Sequence, residues 1–217
     1  MAESFRQTDM STEQEIAAFL DEYLYPRVTE SFERVSDVSG QMKGKDVIIS
    51  IGGLEGMIVD EKAQSHYINR NLPTFAFELS FLRSGGIETE GWLFDESKDT
   101  QYYLLIWVTA KKEWGISKDD IKRLECVLLS RERLIEELSS RGLGKGNAYE
   151  RAREIRESGV TGPIGRGDND GYYFFHTDRL VERPVNVVVR KELLKSIAER
   201  AFVVTRDGVE EEIGSAS

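Results

Sequence analysis

Asp46, Asp60 and Lys62 are the residues whose types and spacing could do chemistry. They lie in the stretch KDVIISIGGLEGMIVDEKAQ, from Lys45 to Gln64. Two acids brought together repel unless something positive lies between them. The elements that would bring them together are legible. Val47-Ile48-Ile49 and Met57-Ile58-Val59 flank Gly52-Gly53-Leu54-Glu55-Gly56, and short β-branched runs around a glycine-rich turn predict a β-hairpin. A turn centred on Gly53 makes Ile51 face Glu55 and sets Asp46 opposite Asp60. Strand alternation then puts Lys62 on the same face as Asp60. A slip of one residue would send Asp46 to the other face.

With Asp46, then thirteen residues, then Asp60-Glu61-Lys62, the stretch resembles the Asp…(Asp/Glu)-x-Lys signature of the PD-(D/E)XK nuclease superfamily. The resemblance is specific over residues 44–64 and extends as a fold over about 12–110. It implies a restriction-endonuclease-like α/β fold, a mixed central sheet flanked by helices. It implies that Asp46 and Asp60 hold Mg²⁺, or Mn²⁺ in its place, with the backbone carbonyl of Glu61, and that Lys62 is the catalytic lysine. Gln64 resembles the glutamine that some family members carry just past the motif. A glutamate on the first helix also often reaches the metal in this family, and Glu33 is the candidate here. Lys45 stands where the family often has proline. The competing reading of the three charges is an ordinary surface ion pair.

Composition bounds the class. The chain has 217 residues, 40% hydrophobic and 31% charged, as expected of a soluble globular protein. The opening MAESFRQTDMSTEQ carries no secretion-signal pattern and no apolar run is long enough to span a bilayer. A cytoplasmic protein without membrane contact is expected. One cysteine and two histidines argue against a zinc site. The net charge of −10 opposes binding to a polyphosphate, although residues 141–156 and 179–200 each carry net +3.

Along the chain, residues 1–11 are expected to be flexible. Thr12 to Glu15 fits a capping box opening a helix that Pro26 restarts and Val28, Phe32 and Val35 continue. Thr74–Leu82 is the clearest strand, with Glu78 a carboxylate among apolar neighbours. Its partner would be Lys62 or the metal, which adds Glu78 to the catalytic set, or a structural cation. Gly91–Phe94 and Tyr102–Val108 predict further strands. Ser117–Leu138 predicts a helix holding an inert Cys126, followed by a glycine-rich break and a second helix over 148–157. Arg151, Arg153 and Arg156 on that helix are candidates for phosphate contacts. Asp168-Asn169-Asp170-Gly171 lacks the spacing of a calcium loop. Strands over 172–175 and 184–189, a helix over 191–201 and a flexible tail from 206 complete the expectation. The whole is one nuclease-like domain over 12–205, with its core in 12–110 and a helical and mixed part over 117–205.

The functional expectation is a Mg²⁺-dependent nuclease acting on nucleic acid, with DNA the expected substrate and a homodimer compatible with the chain. The rival is a binding or structural protein that keeps the fold without catalysis. A serine or cysteine hydrolase lacks an activating histidine at a suggestive position.

Overall fold

The structure is a computed structural model that describes residues 2–164, 171–175 and 182–212. It is a mixed α/β protein. The chain divides into two compact units: Met1–Leu72, Asp99–Ser130 and Lys195–Ser217 form the first, and Pro73–Lys98 with Arg131–Leu194 the second.

The first unit is built on a seven-stranded mixed sheet. Helices α1 (Ala2–Tyr23) and α2 (Tyr25–Val28) lead into β1 (Ser31–Arg34), and the short helix α3 (Val38–Met42) precedes the hairpin of β2 (Val47–Ile51) and β3 (Leu54–Ala63). The second unit holds β4 (Thr74–Leu82) and β5 (Glu88–Glu90). The chain then returns with β6 (Tyr102–Ala110) and β7 (Ile121–Ser130), passes through α4 (Arg131–Ser140), α5 (Lys145–Ser158), β8 (Gly171–Phe175), β9 (Val185–Arg190) and α6 (Lys191–Ser196), and ends in β10 (Arg200–Val204) and β11 (Val209–Glu212). The strand order of the large sheet is β1-β2-β3-β6-β7-β10-β11. All its pairings are antiparallel except β3 with β6, which run parallel.

The hairpin forms as its sequence predicts. Gly52 and Gly53 both take positive φ, +60° and +83°, as a two-residue turn matched to strand twist requires. Below the turn Val47 pairs with Val59 and Ile49 with Met57, the register that sets Asp46 level with Asp60. Only the tip differs: an irregularity between Ile49 and Ile51 pairs Ile51 with Leu54 instead of Glu55. One face of the hairpin, Val47, Ile49, Met57 and Val59, is buried with Ile16, Phe19 and Leu20 of α1 and with Leu104, Ile106 and Val108 of β6. The 22-residue α1 therefore owes its position to an apolar stripe that matches this sheet face.

The second unit is a four-stranded sheet of order β5-β4-β9-β8, with Phe75, Phe77 and Leu79 buried along β4 and Val187 and Val189 along β9. Arg156 of α5 reaches into it, donating to Ser80 Oγ at 2.5 Å and to Glu88 Oε1 at 2.8 Å.

Several expectations need correction. The first helix starts at Ala2, not at Thr12, which is buried inside it. Residues 31–34 are strand β1 and not more helix, because Phe32 and Arg34 alternate with exposed Ser31 and Glu33 and pair with β2. Residues 121–130 are strand β7, not the first half of a helix: IKRLECVLLS is hydrogen-bonded on both sides, to β6 and to β10, and that outweighs the helical spacing of its leucines. The expected strand over 91–94 is a turn, and the preceding Glu88–Glu90 pairs instead. The helix after β9 ends at Ser196, and β10 begins at Arg200. The expected flexible tail pairs over Val209–Glu212 with β10. The core is accordingly not confined to residues 12–110, since β7, β10 and β11 extend the hairpin's own sheet. Asp168, Asn169 and Asp170 lie outside the described residues.

Candidate functional site

The site is a notch in the large sheet. β2 pairs with β3 up to Val47 opposite Val59, whereas β3 runs on to Ala63 and stays paired to β6 through Ile106. Along Glu61–Ala63 the β2 side of β3 is therefore open. Asp46 stands at the mouth of β2, its N–H donating to Val59 O at 3.0 Å. Its Oδ2 accepts from the Glu61 N–H at 2.8 Å, which ties the first acid of the motif to the backbone between the second acid and the lysine.

Lys62 Nζ donates to Asp60 Oδ1 at 2.6 Å. The Asp60 side chain is 5% exposed and that of Lys62 31%. Burial above all, helped by the charge and hydrogen bonding of the neighbouring Asp46 carboxyl and opposed by Lys62, leaves the Asp60 carboxyl raised to about 6. Burial works against the Lys62 ammonium, but Asp60, Asp46 and Glu13 outweigh it, and its pKa lies above the ordinary lysine value. The three motif side chains thus act on one another as a single charge cluster.

Glu61 turns the other way. Its carboxylate accepts two bonds from Arg34, at 2.7 and 3.0 Å, and one from the Tyr25 hydroxyl at 2.5 Å. Arg34 also donates to Asp21 Oδ1 at 2.5 Å. Burial raises the Glu61 carboxyl against the pull of Arg34 and Tyr25. This network joins α1, α2, β1 and β3 directly behind the motif and removes the Glu61 side chain from metal binding. Its backbone carbonyl is left as the donor that the family resemblance implies.

Behind Asp60 the backbone of Gly44 comes close. A Cβ there would lie 2.2 Å from Thr100 Oγ1 and 3.2 Å from Asp60 Oδ2, at a φ of +73° that already favours glycine. Thr100 is buried and donates to Gly44 O at 3.0 Å.

The other expected residues fare differently. Gln64 directly follows β3 and opens the 3₁₀ turn Ser65–Tyr67, with its N–H on Ile106 O at 3.0 Å. Glu78 belongs to the four-stranded sheet, opposite Asn186, and its charge acts on Arg156. Its strand β4 pairs with β5 and β9 and not with the hairpin strands. Glu33 is exposed on β1, so it is no helix glutamate. The helical carboxylate that acts on Lys62 is Glu13. It lines an open groove of about 540 Å³ beside the notch, together with Asp21, Arg34, Asp46, Glu61 and Ala63, whereas Asp60 and Lys62 do not line it. The signal was present in the sequence: Glu13, Ala17 and Asp21 recur every four residues, and Ala17-Ala18 leaves room on the face turned to the motif.

The arginines of α5 are engaged within their own unit: Arg151 with Glu154, Arg153 with Glu88 and Arg156 with Glu88 and Ser80. Cys126 is buried in β7 between neighbouring strands, and burial pushes its thiol far up.

No set of three or more His, Cys, Asp or Glu side chains among the described residues is arranged to hold a metal. Asp46 and Asp60 with one carbonyl still match Mg²⁺, which takes one or two carboxylates and keeps several waters. No helix among the described residues is long and apolar enough to cross a membrane. Comparison of the chain with protein-family models, curated proteins and solved structures gives no match.

Proposed function

We propose that the protein is a Mg²⁺-dependent nuclease of the PD-(D/E)XK type, with a restriction-endonuclease-like first unit, hydrolysing phosphodiester bonds with DNA as the substrate. The observation that carries this reading is the convergence of Asp46, Asp60 and Lys62 at an open notch of a mixed sheet. Asp46, Asp60 and the Glu61 carbonyl would hold the ion, and Mn²⁺ could replace it. When bound, the ion supplies Lewis-acid chemistry, acidifying a water and offsetting charge on the phosphate. Lys62, next to these ligands, would present its ammonium to the oxygen that gains negative charge. The Asp60 and Asp46 carboxylates, with a smaller contribution from Glu13, favour the charged form of that ammonium.

The rival reading, a binding or structural protein, draws on two observations. Lys62 already neutralises Asp60, and the chain carries −10 overall. Cleavage assays separate the two readings. Single- and double-stranded DNA and RNA are incubated with Mg²⁺, Mn²⁺ or chelator at low salt. The nuclease reading expects cation-dependent cleavage in the wild type and none in Lys62→Ala. Activity surviving in both Asp60→Asn and Lys62→Ala ends it.

A further inference from the structure

Just past the motif, two loops of the first unit lie side by side. After β3 the segment 64–69 follows β6: Gln64 N–H donates to Ile106 O at 3.0 Å, Asn69 N–H to Val108 O at 2.9 Å, and Asn69 Oδ1 accepts from Ala110 N–H at 2.8 Å. Arg70 then meets Glu113 of the β6–β7 connection at 3.7 Å. Each loop is pinned by a buried isoleucine, Ile68 in one and Ile116 in the other, and both belong to the main core. The aromatic side chains beside these anchors point outward. Tyr67 is 48% exposed and Trp114 61%.

The same two loops carry three cations, Arg70, Lys111 and Lys112, all exposed. Arg70 is 3.7 Å from Glu113 and Lys112 3.0 Å from Asp120. The local balance is thus positive in a chain whose total is −10. Rings held on anchored loops lose little entropy on contact, and every nucleobase offers a flat face to them. A paired duplex hides those faces, and so weak a positive balance supplies little of the phosphate attraction on which duplex binding depends.

We propose that Tyr67 and Trp114, with Arg70, Lys111 and Lys112, form a stacking surface for unpaired bases of a single-stranded segment leading to or from the notch. This rests on the nuclease reading for its biological sense, but the binding it describes needs neither the metal nor cleavage.

The test is binding of a fluorescein-labelled oligothymidylate to the full-length wild-type protein in chelator at low salt, read by anisotropy. The expected result is saturable binding that a blunt duplex of the same length matches only at higher concentration. Trp114→Ala and Tyr67→Ala should each weaken binding about 5- to 100-fold. Trp114→Phe should retain most of it, and unchanged melting temperatures would show that the fold is intact. Lys111→Ala should lower the salt dependence while leaving the ring contribution in place. No oligonucleotide binding, alanine variants that bind like the wild type, or a duplex that binds as tightly as the single strand would each overturn the proposal. The nuclease reading fails separately, by absence of cation-dependent cleavage in a protein that still binds the oligonucleotide.

Discussion

The Glu61 backbone N–H donates to the Asp46 carboxylate at 2.8 Å, while the Glu61 side chain is held by Arg34 at 2.7 Å. The middle residue of the Asp-x-Lys triplet therefore anchors the site through both its backbone and its side chain. Its amide orients the first acid, and its carboxylate ties β3 to β1, α1 and α2.

Removing Arg34 tests that anchor. Arg34→Met leaves Glu61 a buried carboxylate without its cation, which should destabilise the protein by about 3 kcal/mol. Arg34→Lys keeps the charge but loses the two-pronged contact and should recover only part of it. Urea unfolding of the three proteins measures both. Equal midpoints for wild type and Arg34→Met would show that the network is not structural.

Gly44→Ala should be felt at the site and not only in the fold. The new methyl group meets Thr100 and Asp60, and the backbone there has φ +73°. A destabilisation of about 1–3 kcal/mol is expected, together with weaker metal binding as Asp60 is displaced. Calorimetric melting and a Mn²⁺ titration read the two effects. A variant with wild-type values for both would remove Gly44 from the account.

Acid stability has a separate handle at the start of β7. The Ser117 backbone N–H, with Lys112 and the Ser117 hydroxyl, holds the Asp120 carboxyl down from 3.8 to about 2. A lowered carboxyl pKa contributes stability that is fully present above its unfolded value and is lost as pH falls through the folded value. The wild type should exceed Asp120→Asn in stability at pH 6, and the gap should close as the pH falls from about 4 towards 2. Urea midpoints across that range check it, and a gap independent of pH would contradict it.

The parts of the fold that were legible in the sequence are those where local chemistry and tertiary pairing agree. The hairpin was readable because glycines at 52 and 53 supply the turn and β-branched residues supply the strands. β4 and β6 were readable from their apolar patterns. β7 was not: leucines at 124 and 128 fit a helix as well as a strand buried on both faces, and only its pairing with β6 and β10 decides. The surroundings of Glu78 are illegible for a related reason, since nothing local to TFAFELSFL tells which sheet the strand joins. Glu13 is hidden because Thr12–Glu15 has the residue types of a helix cap although it lies inside α1.

The central claim is tested most directly by divalent-cation binding, followed by calorimetry with Mg²⁺ and Mn²⁺ in the wild type, Asp60→Asn and Lys62→Ala. Asp60→Asn removes a hard oxygen ligand and should weaken binding at least tenfold, by about 1.4 kcal/mol or more. Lys62→Ala removes the cation that now occupies Asp60 and should bind the metal as well as the wild type or better, while its cleavage activity is lost. A wild type that binds neither ion, or an Asp60→Asn variant that binds as tightly as the wild type, would contradict the assignment.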